Sequence, residues 1–78
     1  MKYIRHKLIG FVLFEESQIH KEIMNYLKIL PEDIMSAGEV RLVDGHIHCF
    51  GESMTLCRSA REGDSEALQR QLDAFPQT

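Results

Sequence analysis

The stretch Gly38–Glu52, GEVRLVDGHIHCFGE, places the tightest constraint on what this chain can fold into. Two runs of alternating apolar and polar residues flank Asp44-Gly45. Gly, and less readily Asp, tolerates the positive φ angles of a two-residue type I′ turn, so the stretch predicts a β-hairpin with these residues as its loop. That loop fixes a register: Val43 faces His46, Leu42 faces Ile47, Arg41 faces His48 and Val40 faces Cys49. Because side chains alternate across a strand, Val40, Leu42, Ile47 and Cys49 share one apolar face, which is expected to pack on helices. The other face carries Glu39, Arg41, Val43, His46, His48 and Phe50, two apolar residues among polar ones.

The remaining elements follow from periodicity. Lys7–Phe14 reads as a strand with apolar residues on both faces, which predicts an interior position, and Gly10 suggests a bulge or a close backbone neighbour. Ser17 is the expected N-cap of a helix of about three turns, with Glu15 and Glu16 near its positive end. Its core face is expected to be Ile19, Ile23, Tyr26, Leu27 and Leu30, with Met24 at the flank and His20 solvated; Pro31 ends it. Pro31–Gly38 reads as a connector pinned by Ile34 or Met35. In Gly51–Gly63, Met54, Leu56 and Cys57 fit either a continuing strand or an anchored loop. Asp64 or Ser65 then caps a last helix carrying Leu68, Leu72 and Phe75 with Ala67 beside them, closed by Pro76.

The order is therefore β-α-β-β-α: a single α+β domain over residues 1–78, with a small three-stranded sheet, or four with a short extra strand. The sheet is mainly antiparallel and packs with two helices. If both helices cover the Val40/Leu42 face, Val43 and Phe50 are left in water. An exposed apolar patch of that kind points to a partner, most simply a second copy in a homodimer.

Composition narrows the function classes. A chain of 78 residues buries only about 60–65% of its unfolded surface, and a cavity of several hundred Å³ would hollow out that core. Large-substrate enzymology inside one subunit is disfavoured. The net charge of −3 argues against a phosphate-backbone binder, although Lys2, Arg5, His6 and Lys7 make the N-terminus locally basic and keep a nucleic-acid accessory role as a third reading. Two cysteines, Cys49 and Cys57, are too few for a secreted disulfide scaffold. The apolar Leu8–Phe14 after a basic start imitates a signal peptide, but Glu15-Glu16-Ser17 offers no small-residue cleavage site and the run is too short to span a bilayer. The expectation is a cytoplasmic protein without membrane contact or cofactor.

One constellation could carry chemistry. His46, His48 and Glu52 form H-x-H-x-x-x-E, and two histidines at i and i+2 on one strand face can reach a common metal with a carboxylate as third ligand. The spacing resembles the first half of a cupin metal motif, but the flanking glycines and a second motif are missing and the chain is too short. Arg41 opposite His48 further discourages a cation. Cys49 points away from both histidines, so it reads as a buried small hydrophobe and not a nucleophile. Arg58, Ser59, Arg61 and Ser65 could hold an anion near the last helix, although a solvated loop explains them as well.

Ser36-Ala37-Gly38, Cys49-Phe50-Gly51-Glu52-Ser53 with Leu56, and Asp64-Ser65 together resemble small uncharacterised proteins of bacteriophages and prophages. The resemblance covers roughly the whole chain and implies a bacterial cytoplasmic setting with no catalytic residues to carry over. The reading is thus a non-enzymatic interaction or regulatory module, a homodimer or a binder of another protein, acting through Arg41, Val43, His46, His48 and Phe50. A metal site at His46, His48 and Glu52 is the alternative.

Overall fold

The computed structural model describes residues 1–74. Its strands and helices are β1 (Lys2–His6), β2 (Gly10–Phe14), α1 (His20–Tyr26), β3 (Ile34–Val43), β4 (His46–Phe50), β5 (Glu52–Ser53), β6 (Arg58–Ser59) and α2 (Asp64–Asp73), with a 3-10 turn at Pro31–Asp33 before β3. The main sheet has the order β2-β1-β3-β4 and every pairing in it is antiparallel. β5 and β6 form a separate two-stranded ribbon. The fold is α+β.

The central strand is one the sequence disguised. KYIRH looks like a solvated basic terminus, yet Tyr3 and Ile4 are both fully buried. Adjacent strand residues point to opposite faces, so β1 is covered on both sides. Tyr3, Phe11 and Leu68 form one core cluster, joined by Leu13, Val40, Ile47, Cys49 and Ala67. Ile4, Phe14, Met24, Ile29, Ile34 and Ala37 form the other, joined by Ile23 and Leu56. The sheet is therefore a middle layer, with α2 on the Tyr3 face and α1 on the Ile4 face. This corrects the expectation that both helices cover the Val40/Leu42 face.

It also corrects the first strand. Lys7–Ile9 form the β1–β2 turn, where Leu8 and Ile9 are exposed, and β2 is an edge strand. Phe11 and Phe14 are buried on opposite faces because a helix lies over each, not because strands flank both edges. The close neighbour anticipated at Gly10 is a side chain, not backbone: a Cβ there would run into the Gln71 amide oxygen.

α1 departs furthest from its pattern. It spans only His20–Tyr26, with Ile19 as an N-cap that makes no side-chain bond, and Ser17 lies outside it. Lys28 takes φ 58°, its N–H reaches Asn25 O at 3.2 Å and Ile29 N–H reaches Met24 O at 2.9 Å. That pair of bonds is a Schellman ending, which stops the helix at Tyr26, five positions before Pro31. The chain then buries Ile29 and leaves Ile19, Tyr26, Leu27 and Leu30 exposed, while Ile23 is half-buried. The residues facing the core are Met24 and His20. His20, expected in solvent, sits 3.0 Å from Gly38 O through Nε2 and edge-on to Phe14 at 5.1 Å. Polar–apolar periodicity assigns histidine to water; an available carbonyl and an aromatic neighbour reverse that.

The connector assigned to Pro31–Gly38 is mostly strand, since β3 starts at Ile34, which is buried. Met54–Cys57 is a turn between β5 and β6, with Met54 exposed and Leu56 packed on the α1-side core. Gly63 is the N-cap of α2 and Asp64 its first residue; Leu68 is buried and Leu72 sits at the exposed margin. Phe75 and Pro76 lie outside the described residues.

Candidate functional site

The β3–β4 hairpin has the register read from its loop, Val43↔His46, Leu42↔Ile47, Arg41↔His48, Val40↔Cys49, with Glu39↔Phe50 beyond. Asp44 and Gly45 have φ 52° and 80°, both positive as a type I′ turn requires. Val40, Ile47 and Cys49 pack toward α2, while Leu42, at the tip, is 72% exposed because α2 does not reach it.

α1 stops short of the hairpin's other face. There Arg41 places its guanidinium 4.5 Å from the centre of the Phe50 ring, and the His48 ring stacks on Phe50 at 5.7 Å with 13° between planes. Arg41, His48 and Phe50 thus form a cation–aromatic stack, with Phe50 half-buried as its platform and the other two exposed. Val43 and His46 continue the exposed face to the tip. The structure brings these five residues onto one surface.

Glu52 does not join them. Gly51 takes φ 75° and turns the chain out of β4, and Glu52 pairs with Ser59 in the β5–β6 ribbon. No three His, Cys, Asp or Glu side chains among the described residues converge to hold a metal ion. Cys49 lies on the opposite face, half-buried, and burial pushes its thiol up. Cys57 is exposed.

The basic groups of the N-terminus and of the loop before α2 are occupied internally. Lys2 Nζ donates to Gln18 O at 2.8 Å, Arg5 pairs with Asp64 at 3.0 Å, and Lys7 pairs with Asp33 at 2.9 Å. His6 Nδ1 accepts from the Leu8 N–H at 3.0 Å. Arg58 donates to the carbonyls of Leu56, Cys57 and Pro31, and Arg61 to that of Met35, so the loop cations do not converge on an anion.

Sequence reasoning missed a buried polar cluster under α2. The fully buried Asp64 accepts from Tyr3 OH at 2.6 Å, Arg5 Nη1 at 3.0 Å and the Arg61 N–H at 3.0 Å. Burial by itself would raise the Asp64 carboxyl; the bonds from Arg61, Tyr3 and Arg5, with the nearby Ser36 hydroxyl, outweigh it and hold it below the usual range. Tyr3 is pushed far up, by burial first and by Asp64 second. Ser36 Oγ is buried beside them with no hydrogen-bond partner at bonding geometry. The cluster clamps the start of α2 to the central strand. Tyr3 alternating with Arg5 on one side of a strand was the available signal, hidden by the basic composition around it.

A second apolar surface is the outer side of α1, where Gln18, Glu22, Ile23 and Tyr26 line a cleft of about 300 Å³. Among the described residues no helix is long and apolar enough to cross a membrane. No protein-family profile, no curated protein and no solved structure matches this chain.

Proposed function

We propose that this chain is a non-enzymatic interaction module that self-associates through its projecting β3–β4 hairpin, an accessory protein of the phage or prophage type working in the bacterial cytoplasm. One observation carries the reading: Arg41, His48 and Phe50 are ordered into a stack on a face that neither helix covers, with Val43 beside them. Arginine and aromatic side chains held rigid at a surface are the groups that anchor protein interfaces, because little side-chain freedom is lost when they bind. The exposed apolar residues on the same hairpin, Leu42 and Val43, add area that water disfavours.

Sedimentation across micromolar to millimolar concentrations tests this. The weight-average mass is expected to rise from 9.0 kDa toward twice that value. Phe50→Ala removes the platform under Arg41 and His48 and is expected to weaken association at least tenfold. A mass that stays monomeric throughout the range removes self-association from the reading.

A further inference from the structure

We propose that the free edge of β4 is where two copies meet, β4 of a second copy adding antiparallel with Ile47 facing Ile47. The proposal rests on the self-association read above and places the strand pairing at the hairpin's edge, beside the face that carries the stack.

A four-stranded antiparallel sheet has two edges, and this one treats them differently. At β2 the Gln71 side chain acts as a surrogate strand: its Oε1 takes the Phe11 N–H at 2.8 Å and its Nε2 donates to Phe11 O at 3.1 Å. At β4 the start of α2 covers the edge at Cys49, and the edge groups of Ile47 are open. The Val40 N–H donates to Met1 O at 2.7 Å and Val40 O accepts from the Met1 amino group at 3.3 Å, so Val40 directs its backbone groups toward β1 and away from β4. Its partner Cys49 therefore directs its own groups outward, and Ser65 Oγ accepts the Cys49 N–H there at 2.9 Å. Ile47, two residues along, has the same orientation. Its N–H and C=O face the free edge, and no backbone or side-chain group of the described residues bonds them.

Edges are usually blunted by lysine, proline, inward charges, a bulge or a covering helix, and here α2 covers only the Cys49 end. His46–Phe50 contains none of these residues and pairs with β3 without a register shift. Beside it runs a cleft of about 220 Å³ lined by His46, Ile47, Ser65, Glu66 and Gln69, so α2 does not close the edge at Ile47.

The occupant is selected by where the edge closes. Ser65 holds the Cys49 N–H, so an incoming strand that continues past Cys49 must break that bond. A strand that leaves the edge opposite Cys49 keeps it. With Ile47 facing Ile47, the residue opposite Cys49 is Gly45 of the second copy, in the turn where its strand ends. β4 is thus the right length to complement itself. His46 then stands opposite His48 of the second copy, and the two stacked hairpin faces join into one surface.

Two experiments on the full chain test the geometry. Because the Ile47 N–H makes no bond to β3, Ile47→Pro leaves the hairpin ladder intact and removes the donor needed by the second copy. Sedimentation of Ile47→Pro is expected to stay at 9.0 kDa where the parent chain doubles. Independently, in a Cys57→Ser background, an equimolar mixture of His46→Cys and His48→Cys chains is expected to form a disulfide-linked dimer on mild oxidation at least tenfold faster than either alone. If Ile47→Pro does not fold, the crosslinking decides. Self-association that survives Ile47→Pro, or crosslinking no faster in the mixture than in the single variants, overturns the edge pairing and leaves the broader reading in place. A parent chain that never self-associates removes both.

Discussion

Tyr3→Phe gives the sharpest test of how α2 is anchored. The substitution keeps the ring, its packing at 5.5 Å from Phe11 and its volume, and deletes only the hydroxyl that reaches Asp64 at 2.6 Å. A hydrogen bond to a charged group contributes about 1.5–3 kcal/mol, and here the acceptor is fully buried, so water cannot replace the lost donor. Arg5 and the Arg61 N–H still hold the carboxylate, which keeps the loss near 2 kcal/mol instead of the ~3–5 kcal/mol of a buried charge stripped of its partner. A domain of 78 residues has roughly 4–12 kcal/mol in all, so Tyr3→Phe should remain folded but lower the urea midpoint by about 1–2 M. The effect has a pH signature. Asp64 is held below the usual carboxyl range in the fold, so its contribution is present above about pH 3.9, where the unfolded carboxyl ionises, and is lost as pH falls through the folded value. The difference between parent and Tyr3→Phe should therefore shrink in acid. A change under 0.5 kcal/mol at pH 7, or a difference that stays constant into acid, refutes the clamp.

Three further outcomes are expected. The raised Tyr3 hydroxyl means that only the unfolded chain ionises it easily, so stability should fall above about pH 10 and Tyr3→Phe should flatten that decline in urea titrations. His20 is lowered, chiefly by burial, so its neutral form fits the fold; stability should be retained above about pH 6.5 and fall as the pH drops below it. His20→Gln, which keeps a donor for Gly38 O, should remove that slope between pH 6.5 and the acid limb. Gln71→Leu uncovers the Phe11 edge groups and should cost about 1–2 kcal/mol while raising light scattering at high concentration. Unchanged scattering would show that Gln71 does not guard β2.

What could be read from the sequence was what short-range chemistry decides. Asp44-Gly45 specified a turn, the turn specified a register, and the register separated Cys49 from His46 and His48 without reference to the rest of the chain. The same reasoning located Leu68 and the start of α2 within a residue. Failure came where a residue's position depends on a distant partner. Asp64 is about 60 positions from Tyr3 and Arg5 along the chain, and the basic pentapeptide that holds them is a central strand whose polar side chains find their partner in that distant carboxylate. Ser36, Ala37 and Gly38 belong to a strand because small side chains admit the layers above them, as Gly38 shows, where a Cβ would meet Phe50 O at 2.5 Å and the Tyr3 ring at 3.3 Å.

α1 shows why even a strong period can mislead. Ile19, Ile23, Tyr26, Leu27 and Leu30 match an amphipathic helix, but the match requires the helix to continue through residue 30. A helix of two turns is too short to be stable alone, so its orientation is set by what it docks on. On this sheet the docking site offers a second acceptor position on the Gly38 carbonyl and the edge of Phe14, which His20 can use and an aliphatic side chain cannot. Once His20 turns inward, Met24, one turn along, follows it into the core, and Ile19, Tyr26, Leu27 and Leu30 face water while Ile23 is half-buried. The Schellman bond from Ile29 to Met24 then ends the helix, and Ile29 joins Met24 in the same core cluster. The buried imidazole sets the rotation of the helix because a polar group taken into the core without a partner costs about 1–3 kcal/mol, and the Gly38 oxygen is the acceptor that meets its Nε2.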